Sequence, residues 1–458
     1  MEVIKDEKIL KIVSKLKECI KLTRFQNHVF VTGGAIRNSI LDKPINDLDI
    51  VVDLEHGGVM LANLFAARER CYVINSNPII YPTYGTAKVR LFKEEDLKDI
   101  NIEFVESRKR PYEPSVGCFG TLEEDSKRRD LTINSLYWNI TDEKLYDYVG
   151  GVNDMIDMTI KCADPYGMYV ENPIKMLRAI RFSSELGWGI EKNTWLGIIK
   201  NSHLIKKAPQ ELITSEISKI LTSQNASFGI KKMLYSGLLK ETMPDIYDLI
   251  NGYESKNPMV TTFDHTMKVL DCVQPFIENR LAALFHDVGN AVTEGYNRTM
   301  SKDKFNSDIA SSDLKNMKFS NATIAAVETA IRYHRAFGNY ADGVVPPDKK
   351  IRKFVSLVGE HIGTTIDLMN ANNLYCTYGK KKSQALDILN RMEEMEELEK
   401  EKDIKLPIGG NDIVSLGIRG KSVGRILNVV KDAYFENPNI TREECLEIIK
   451  HEVEVLTV

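Results

Sequence analysis

Long apolar runs are missing from this 458-residue sequence. No stretch approaches the roughly 18 uninterrupted apolar residues that a bilayer span requires. Cysteine pairing motifs are missing too. Cys19, Cys71, Cys118, Cys162, Cys272, Cys376 and Cys445 are odd in number, widely spaced and never form Cys-x-x-Cys. That argues against a zinc ribbon or a disulfide framework and for free thiols in a reducing cytoplasm. An excess of one charge is also absent, with 61 Lys+Arg against 65 Asp+Glu and a net charge of −4. A uniformly basic surface is thereby disfavoured, and any nucleic-acid partner must be held by local patches. The opening residues 1–8 are charged and lack the apolar centre of a secretory signal, so the expected location is cytoplasmic and no membrane partner is expected. What remains is 43% hydrophobic and 28% charged, the composition of a soluble globular protein. At about 150 residues per domain, the length suits about three domains.

The texture changes along the chain. Residues 1–150 mix helix, as in Val59–Glu69, with short β-rich runs at His28–Thr32, Leu48–Val52, Lys88–Phe92 and Ile102–Val105. From about residue 170 convincing strands disappear, and helical segments follow at Pro173–Leu186, Asn193–Asn201, Pro209–Leu221 and Phe228–Ser236. A linker of turn formers, Asn251–Pro258, precedes a second helical block from Thr262. A highly charged helix at Ser383–Asp403 is followed by a turn at Leu406–Gly410 and further helix.

The densest signal is Gly33-Gly34-Ala35-Ile36-Arg37 after an apolar strand, followed by Asp47-Leu48-Asp49-Ile50. Glycines let backbone approach a ligand closely, and a helix start offers N–H groups to anionic oxygen. Arg37 falls where its fork can grip a phosphate. A plain strand–helix turn fits the glycine pair equally well. Asp47 and Asp49 share one face of a strand, roughly 6.5 Å apart along it, while Leu48, Ile50 and Val52 turn to the buried face. Two adjacent carboxylates repel, so divalent cations between them make the best sense of the pair, Mg²⁺ above all. Glu103, in an alternating strand, is a candidate third carboxylate. The other reading is a solvated strand edge. Lys127-Arg128-Arg129 beside Asp130 reads either as a solvated helix end or as phosphate-neutralising charge.

Taken together, these motifs resemble the nucleotidyltransferase superfamily, specifically the class II (bacterial-type) CCA-adding tRNA nucleotidyltransferases and their poly(A) polymerase relatives. The Gly-Gly-x-x-Arg and Asp-x-Asp motifs, the run from Gly120 through Arg128-Arg129-Asp130 to Asn134, and Tyr146–Asp154 carry the resemblance. It implies an α+β chain: a polymerase-beta-like mixed α/β head, then an elongated all-α neck, body and tail containing an HD-like helical block. It implies catalysis by Asp47, Asp49 and Glu103 with Mg²⁺ on the two aspartates. Gly33, Gly34, Arg37, Arg129 and Asp130 would bind the nucleotide.

The neck helix opens Asn172-Pro173-Ile174-Lys175, with Arg178 and Arg181 at helical spacing and Met176, Leu177, Ile180 and Phe182 as its apolar side. An amphipathic helix with a basic face accounts for it without a ligand. In the resembling family this helix reads the incoming base through an Asp and an Arg, which accept cytosine and adenine without a nucleic-acid template. Here those positions are Asn172 and Lys175, while Arg178 and Arg181 keep the pattern. Aspartate only accepts, whereas asparagine both donates and accepts; lysine is a flexible point charge where arginine is a rigid fork. Looser or altered nucleotide discrimination is the expectation.

His265 in one helix and His286-Asp287 in another have the spacing of an HD phosphohydrolase domain, with His334 as a further candidate ligand. Against that resemblance the late Asp falls at Asn372, the usual Lys at Asn290, and an often-His position at Asp308. A neutral amide replaces a carboxylate poorly at a hard cation, which favours a structural or RNA-supporting block over metal-dependent hydrolysis. The basic clusters Lys349–Lys353 and Lys380–Lys382 are either RNA-backbone contacts or solvated faces, and Arg108-Lys109-Arg110 is more simply a solvated surface. The resulting division is a head at 1–155, a neck and body at 156–250, an HD-like domain at 251–400 and a tail at 401–458. The expected partners are tRNA, at its 3′ end and elbow, with CTP and ATP.

Overall fold

The structure, a computed structural model, describes residues 3–69, 78–91, 96–97, 99–109, 119–254, 257–291, 301–338, 344–376, 384–399, 406–416, 418, 421–437 and 439–457. The chain divides into two compact units, Met1–Thr242 and Met243–Val458.

The first unit begins with α1 (Glu7–Ile20) and builds a seven-stranded sheet. Its strands are β1 (Val29–Thr32), β2 (Asp47–Val52), β3 (Ile79–Tyr81), β4 (Thr86–Val89), β5 (Asn101–Glu106), β6 (Leu136–Asn139) and β7 (Leu145–Asp147). They lie in the order β3-β4-β5-β2-β1-β6-β7, so β2 is central. The β2–β5 pair is parallel and places Asp49 opposite Glu103, whereas β1–β2, β1–β6, β3–β4, β4–β5 and β6–β7 are antiparallel.

The alternation in β2 decides what each face does. Leu48, Ile50 and Val52 are fully buried, and with Phe104 of β5 they form the face covered by α3 (Gly57–Arg68), where Phe65 and Phe104 rings lie 6.0 Å apart. On the other face, Val51 packs with Phe30, Tyr137 and Leu122, the first residue of α4 (Leu122–Arg128). Two residues earlier on that face, apolar cover gives way to Asp49. Between these elements, α2 (Gly34–Ile40) follows β1 directly. The start of α4 is fixed by a Thr121/Glu124 capping box, with acidic residues in its first turn and Lys127 and Arg128 in its last.

Helices complete the unit: α5 (Gly151–Ile156), α6 (Pro165–Glu171), α7 (Ile174–Leu186), α8 (Lys192–Asn201), α9 (Gln210–Leu221), α10 (Ala226–Ser236) and α11 (Leu238–Thr242). Gly187 and Gly237, at φ +72° and +83°, stop α7 and α10 in the left-handed conformation that glycine adopts without strain. The expected segments are present, with ends shifted by a few residues.

The second unit is helical. After α12 (Pro244–Asp248), α13 (Thr262–Cys272), α14 (Ile277–Phe285), α15 (Lys302–Asn316), α16 (Asn321–Tyr333), α17 (Asp348–Val358) and α18 (Ile362–Cys376) pack in neighbouring pairs. Two expectations need correction. The segment 251–258 is not simply a linker, because Tyr253–Glu254 and Asn257–Thr261 pair as antiparallel strands. Lys353 of the basic cluster pairs with Asp432 at 3.0 Å, Lys349 pairs with Glu436, and Arg352 donates to the Phe435 carbonyl. Those charges join two helices of their own unit. Lys380–Lys382, Arg110, Cys71 and Cys118 lie outside the described residues. Among the described residues no helix is long and apolar enough to cross a membrane.

Close packing of α3 on β5 leaves no room beside Gly58, where an added Cβ would lie 2.7 Å from the Val105 carbonyl carbon. Gly58→Ala is expected to destabilise the chain by roughly 1–2 kcal/mol despite alanine's better helix propensity. A lower urea midpoint at unchanged slope is the result to look for, and an unchanged midpoint would contradict the packing.

Candidate active site

Asp47 and Asp49 project from one face of the central strand, and in-register pairing sets Glu103 beside Asp49. Asn101 Nδ2 donates to Asp47 at 3.1 Å, and Lys88 Nζ lies 3.3 Å from Glu103. Gly33, at φ +69°, brings its backbone directly against the aspartate: a Cβ there would meet Asp49 Oδ2 at 2.7 Å. Burial pushes the Asp49 carboxyl up to about 6; Arg129 works against that shift, and Glu103 and Asp47 add to it. An oxygen-only set of three carboxylates, one of them held reluctantly ionised, is the donor chemistry a hard divalent cation suits.

Arg129 is held from behind. Its Nε donates to Asp125 at 2.9 Å and to the Tyr137 hydroxyl at 3.0 Å, and Tyr137 donates to the same carboxylate at 2.6 Å. Burial alone would raise the Asp125 carboxyl, but the Arg129 and Arg128 guanidiniums hold it below its usual value. Asp125 was not anticipated, although its position four residues before Arg129 on a helix is a readable signal.

Asp130 faces the neck. It pairs with Arg178 at 2.6 Å and accepts from Asn134 and from the Leu131 N–H. Burial would raise its carboxyl, yet Arg178 and Lys175 hold it well below the usual carboxylate range. Lys175, expected to face a base, is buried: its Nζ donates to the Arg128 carbonyl at 3.0 Å and lies 2.8 Å from Met168 Sδ. Desolvation pulls its ammonium down to about 8, partly opposed by Asp130.

Arg37, expected to grip phosphate, directs Nη1 to Asn134 at 2.6 Å and Nε and Nη2 to Asn38, and stacks 4.6 Å above the Phe182 ring. Burial lowers its pKa to about 10. Arg178 and Arg181 also lie over Phe182, at 5.9 and 4.0 Å, and Arg181 pairs with Glu216 and Glu185. Phe182, read from the sequence only as apolar filling, is the ring on which the head's Arg37 meets the neck.

A cavity of about 710 Å³ joins these parts. Its wall includes Asp49, Glu103, Arg129, Asp130, Asn172, Lys175 and Arg178, so seven of the anticipated residues share one space. Gly33, Gly34, Arg37, Asp47 and Arg181 are not among its lining residues, although Gly33 touches Asp49 and Asp47 shares its strand face. Arg108, Leu212 and Lys219 are wall residues that the sequence reading left out or took for surface, and Arg128, read either as a solvated helix end or as phosphate-neutralising charge, lines the wall too. His265, His286, Asp287 and His334 belong to the second unit.

Residues 29–161 match the family described as "Poly A polymerase head domain". The head is similar to poly(A) polymerase head domains over that range. Behind this head domain, residues 187–249 match "Probable RNA and SrmB- binding site of polymerase A". Among curated proteins, the CCA-adding enzyme of Bacillus velezensis is 30% identical over 237 residues, 51% of this chain and 55% of that protein. The CC-adding tRNA nucleotidyltransferase of Thermus thermophilus is 25% identical over 343 residues, 71% of this chain and 76% of that one. The match thus spans about half the length of the Bacillus relative. A Bacillus stearothermophilus CCA-adding enzyme solved in complex with CTP has the same fold, with TM-score 0.68 over 99% of this chain and 100% of that chain at 17% identity.

A raised Asp49 pKa has a measurable consequence. Between about pH 4 and pH 6 the folded chain keeps a proton that the unfolded chain, at 3.8, has released. Stability contributed by this group therefore falls as pH rises through that window. Asp49→Asn is expected to stabilise the metal-free chain at pH 7 by on the order of 2 kcal/mol and hardly at all at pH 4. Equal urea stability of the two proteins at pH 7 would show that Asp49 is not held against its preference.

Proposed function

We propose that the chain is a template-independent RNA nucleotidyltransferase that adds or repairs the 3′-terminal CCA of tRNA. The terminal ribose hydroxyl attacks the α-phosphorus of CTP or ATP, and pyrophosphate leaves. The observation that carries this reading is Asp49, wedged against Gly33 and beside Glu103, opening onto the same cavity as Asn172 and Arg178.

Asp47 and Asp49, with Glu103 alongside, are the residues to hold Mg²⁺. A bound divalent cation there supplies acidification of the attacking hydroxyl and neutralisation of the departing charge. The protein's own contribution is positional and electrostatic. Gly33, lacking a side chain, keeps the approach to Asp49 clear, and Gly34 continues that backbone turn. Arg129, stiffened by Asp125 and Tyr137, presents fixed positive charge to phosphate oxygens. Asp130 and Arg178 act as a pair that sets the nucleotide's position, and Arg181, braced by Glu216, keeps α7 in place. The four-part division into 1–155, 156–250, 251–400 and 401–458 follows these assigned roles.

A second reading, a partial CCA adder or poly(A)-type enzyme, is favoured by the base-reading positions. Lys175 spends its ammonium on the Arg128 carbonyl, so the base edge is left to Asn172, which offers both a donor and an acceptor. Such an edge discriminates less sharply between an amine and a carbonyl on the base.

Purified chain, Mg²⁺, single nucleoside triphosphates and a tRNA ending at its discriminator base make the test. Asp47→Ala and Asp49→Asn are expected to reduce incorporation to background with the fold retained, and continued incorporation would refute the assignment. Wild type is expected to add U or G above background, and Asn172→Asp to suppress them relative to C and A. Clean C and A selectivity in the wild type would end the altered-selectivity reading.

A further inference from the structure

Lys175 lines the cavity wall, yet its ammonium is already engaged by the protein itself. The residue is 9% exposed, and its Nζ donates to the Arg128 carbonyl at 3.0 Å and lies 2.8 Å from Met168 Sδ. An ammonium has three protons to place and a thioether is a weak acceptor, so burial here is costly. Desolvation pulls the group down to about 8; Asp130 and Cys162 oppose that shift, and Arg128 and Arg178 add to it. An apolar side chain of similar length would pack against Met168 at less cost, so stability alone does not account for a lysine at this position.

The carbonyl it takes lies at a turning point of the chain. Arg128 is the last residue of α4, and the backbone leaves the helix at Arg129 in extended geometry, φ −70° and ψ 160°. The final carbonyls of a helix have no intrahelical partner, and a cation placed there also meets the negative end of the helix dipole. Lys175 therefore caps α4 from α7, where the chain departs towards Arg129 and Asp130. One turn further along α7, Arg178 takes the Asp130 carboxylate at 2.6 Å. The same helix thus holds the segment on both sides of Arg129, by main chain at 128 and by side chain at 130. Arg129, gripped by Asp125 and Tyr137, reaches the cavity from between these two holds.

Base choice falls to a different group. Asn172 lines the same cavity, and its side chain makes no hydrogen bond among the described residues, so its donor and its acceptor are both open. Resting on the nucleotidyl-transfer reading, we infer that Lys175 is a positioning residue and not a base reader: it caps α4 through the Arg128 carbonyl and, with Arg178, clamps residues 128–130 so that Arg129 is presented to the triphosphate. A neutral amine keeps the hydrogen bond to that carbonyl but loses its charge assistance, so the clamp loosens as pH rises through about 8.

Equilibrium dialysis of the full chain with CTP and with ATP, Ca²⁺ replacing Mg²⁺, reads the clamp without turnover or RNA. Lys175→Met is expected to weaken both nucleotides by the same factor, roughly tenfold. Wild-type affinity for both is expected to fall between about pH 7 and pH 9.5. Lys175→Arg, charged across that range, is expected to recover most of the affinity and to lose the pH response. Single-nucleotide incorporation reads base choice, and the proportions of C, A, U and G are expected to be the same in the wild type and both variants. A changed proportion in either variant, or binding untouched by Lys175→Met, would overturn the positioning role. Urea unfolding checks the buried ammonium with no ligand present. Near pH 8 the folded chain releases a proton that the unfolded chain, at 10.5, still holds, so the wild type is expected to gain stability over Lys175→Met between about pH 8 and pH 10. Parallel pH curves for the two proteins would also overturn the inference. No incorporation by the wild type, with the binding shifts intact, would sink the transferase reading and leave the clamp standing.

Discussion

The candidate site of the first unit is arranged around a carboxylate, Asp49, whose burial raises the cost of its charge. Parallel pairing of β2 with β5 forces Asp49 and Glu103 side by side, and Gly33 presses backbone against Asp49 from the neighbouring turn. A fold optimised for stability alone would put a hydrophobic residue at this point, as it does two positions later at Val51. The strained charge is tolerated because Arg129 is near, and Arg129 is tolerated in a buried place because Asp125 and Tyr137 hold it. Each charge justifies the next, so a substitution in this series exposes the neighbour to an uncompensated environment.

The neck is joined to this series by two contacts of different character. Asp130 and Arg178 form a charge-assisted bond, which depends on ionisation and geometry. Phe182 instead offers its ring to three guanidiniums, and one of these, Arg37, comes from the glycine-turn helix. Stacking tolerates small rotations that a 2.6 Å ion pair does not. The helix α7 is therefore tied to the head by the Arg178–Asp130 pair and by Arg37 on the Phe182 ring.

What the sequence makes legible here is local. Gly33, Gly34 and the Asp47/Asp49 alternation lie within one strand–turn–helix–strand run, where period and spacing carry the information. Glu103 could be suggested by alternation, but its register opposite Asp49 belongs to a strand 54 positions away and is a tertiary fact. The fate of Lys175 is illegible for the same reason: Met168 Sδ and the Arg128 carbonyl reach it from two other elements. Charge runs left two readings open. Lys349–Lys353 looks like an open basic patch, and its partners Asp432 and Glu436 come about 80 residues later. At Asn251–Pro258, turn-forming composition concealed a short strand pair because a two-residue strand has too little periodicity to register.

Donor chemistry separates two clusters of ligand-capable side chains in the described residues. The Asp47/Asp49/Glu103 face is all oxygen, and Asp49 and Glu103 open onto the cavity, which is the donor chemistry a hard ion suits. The His265/His286/His334/Asp287 cluster is mostly nitrogen, with the Nδ1 atoms of His286 and His334 turned to backbone carbonyls.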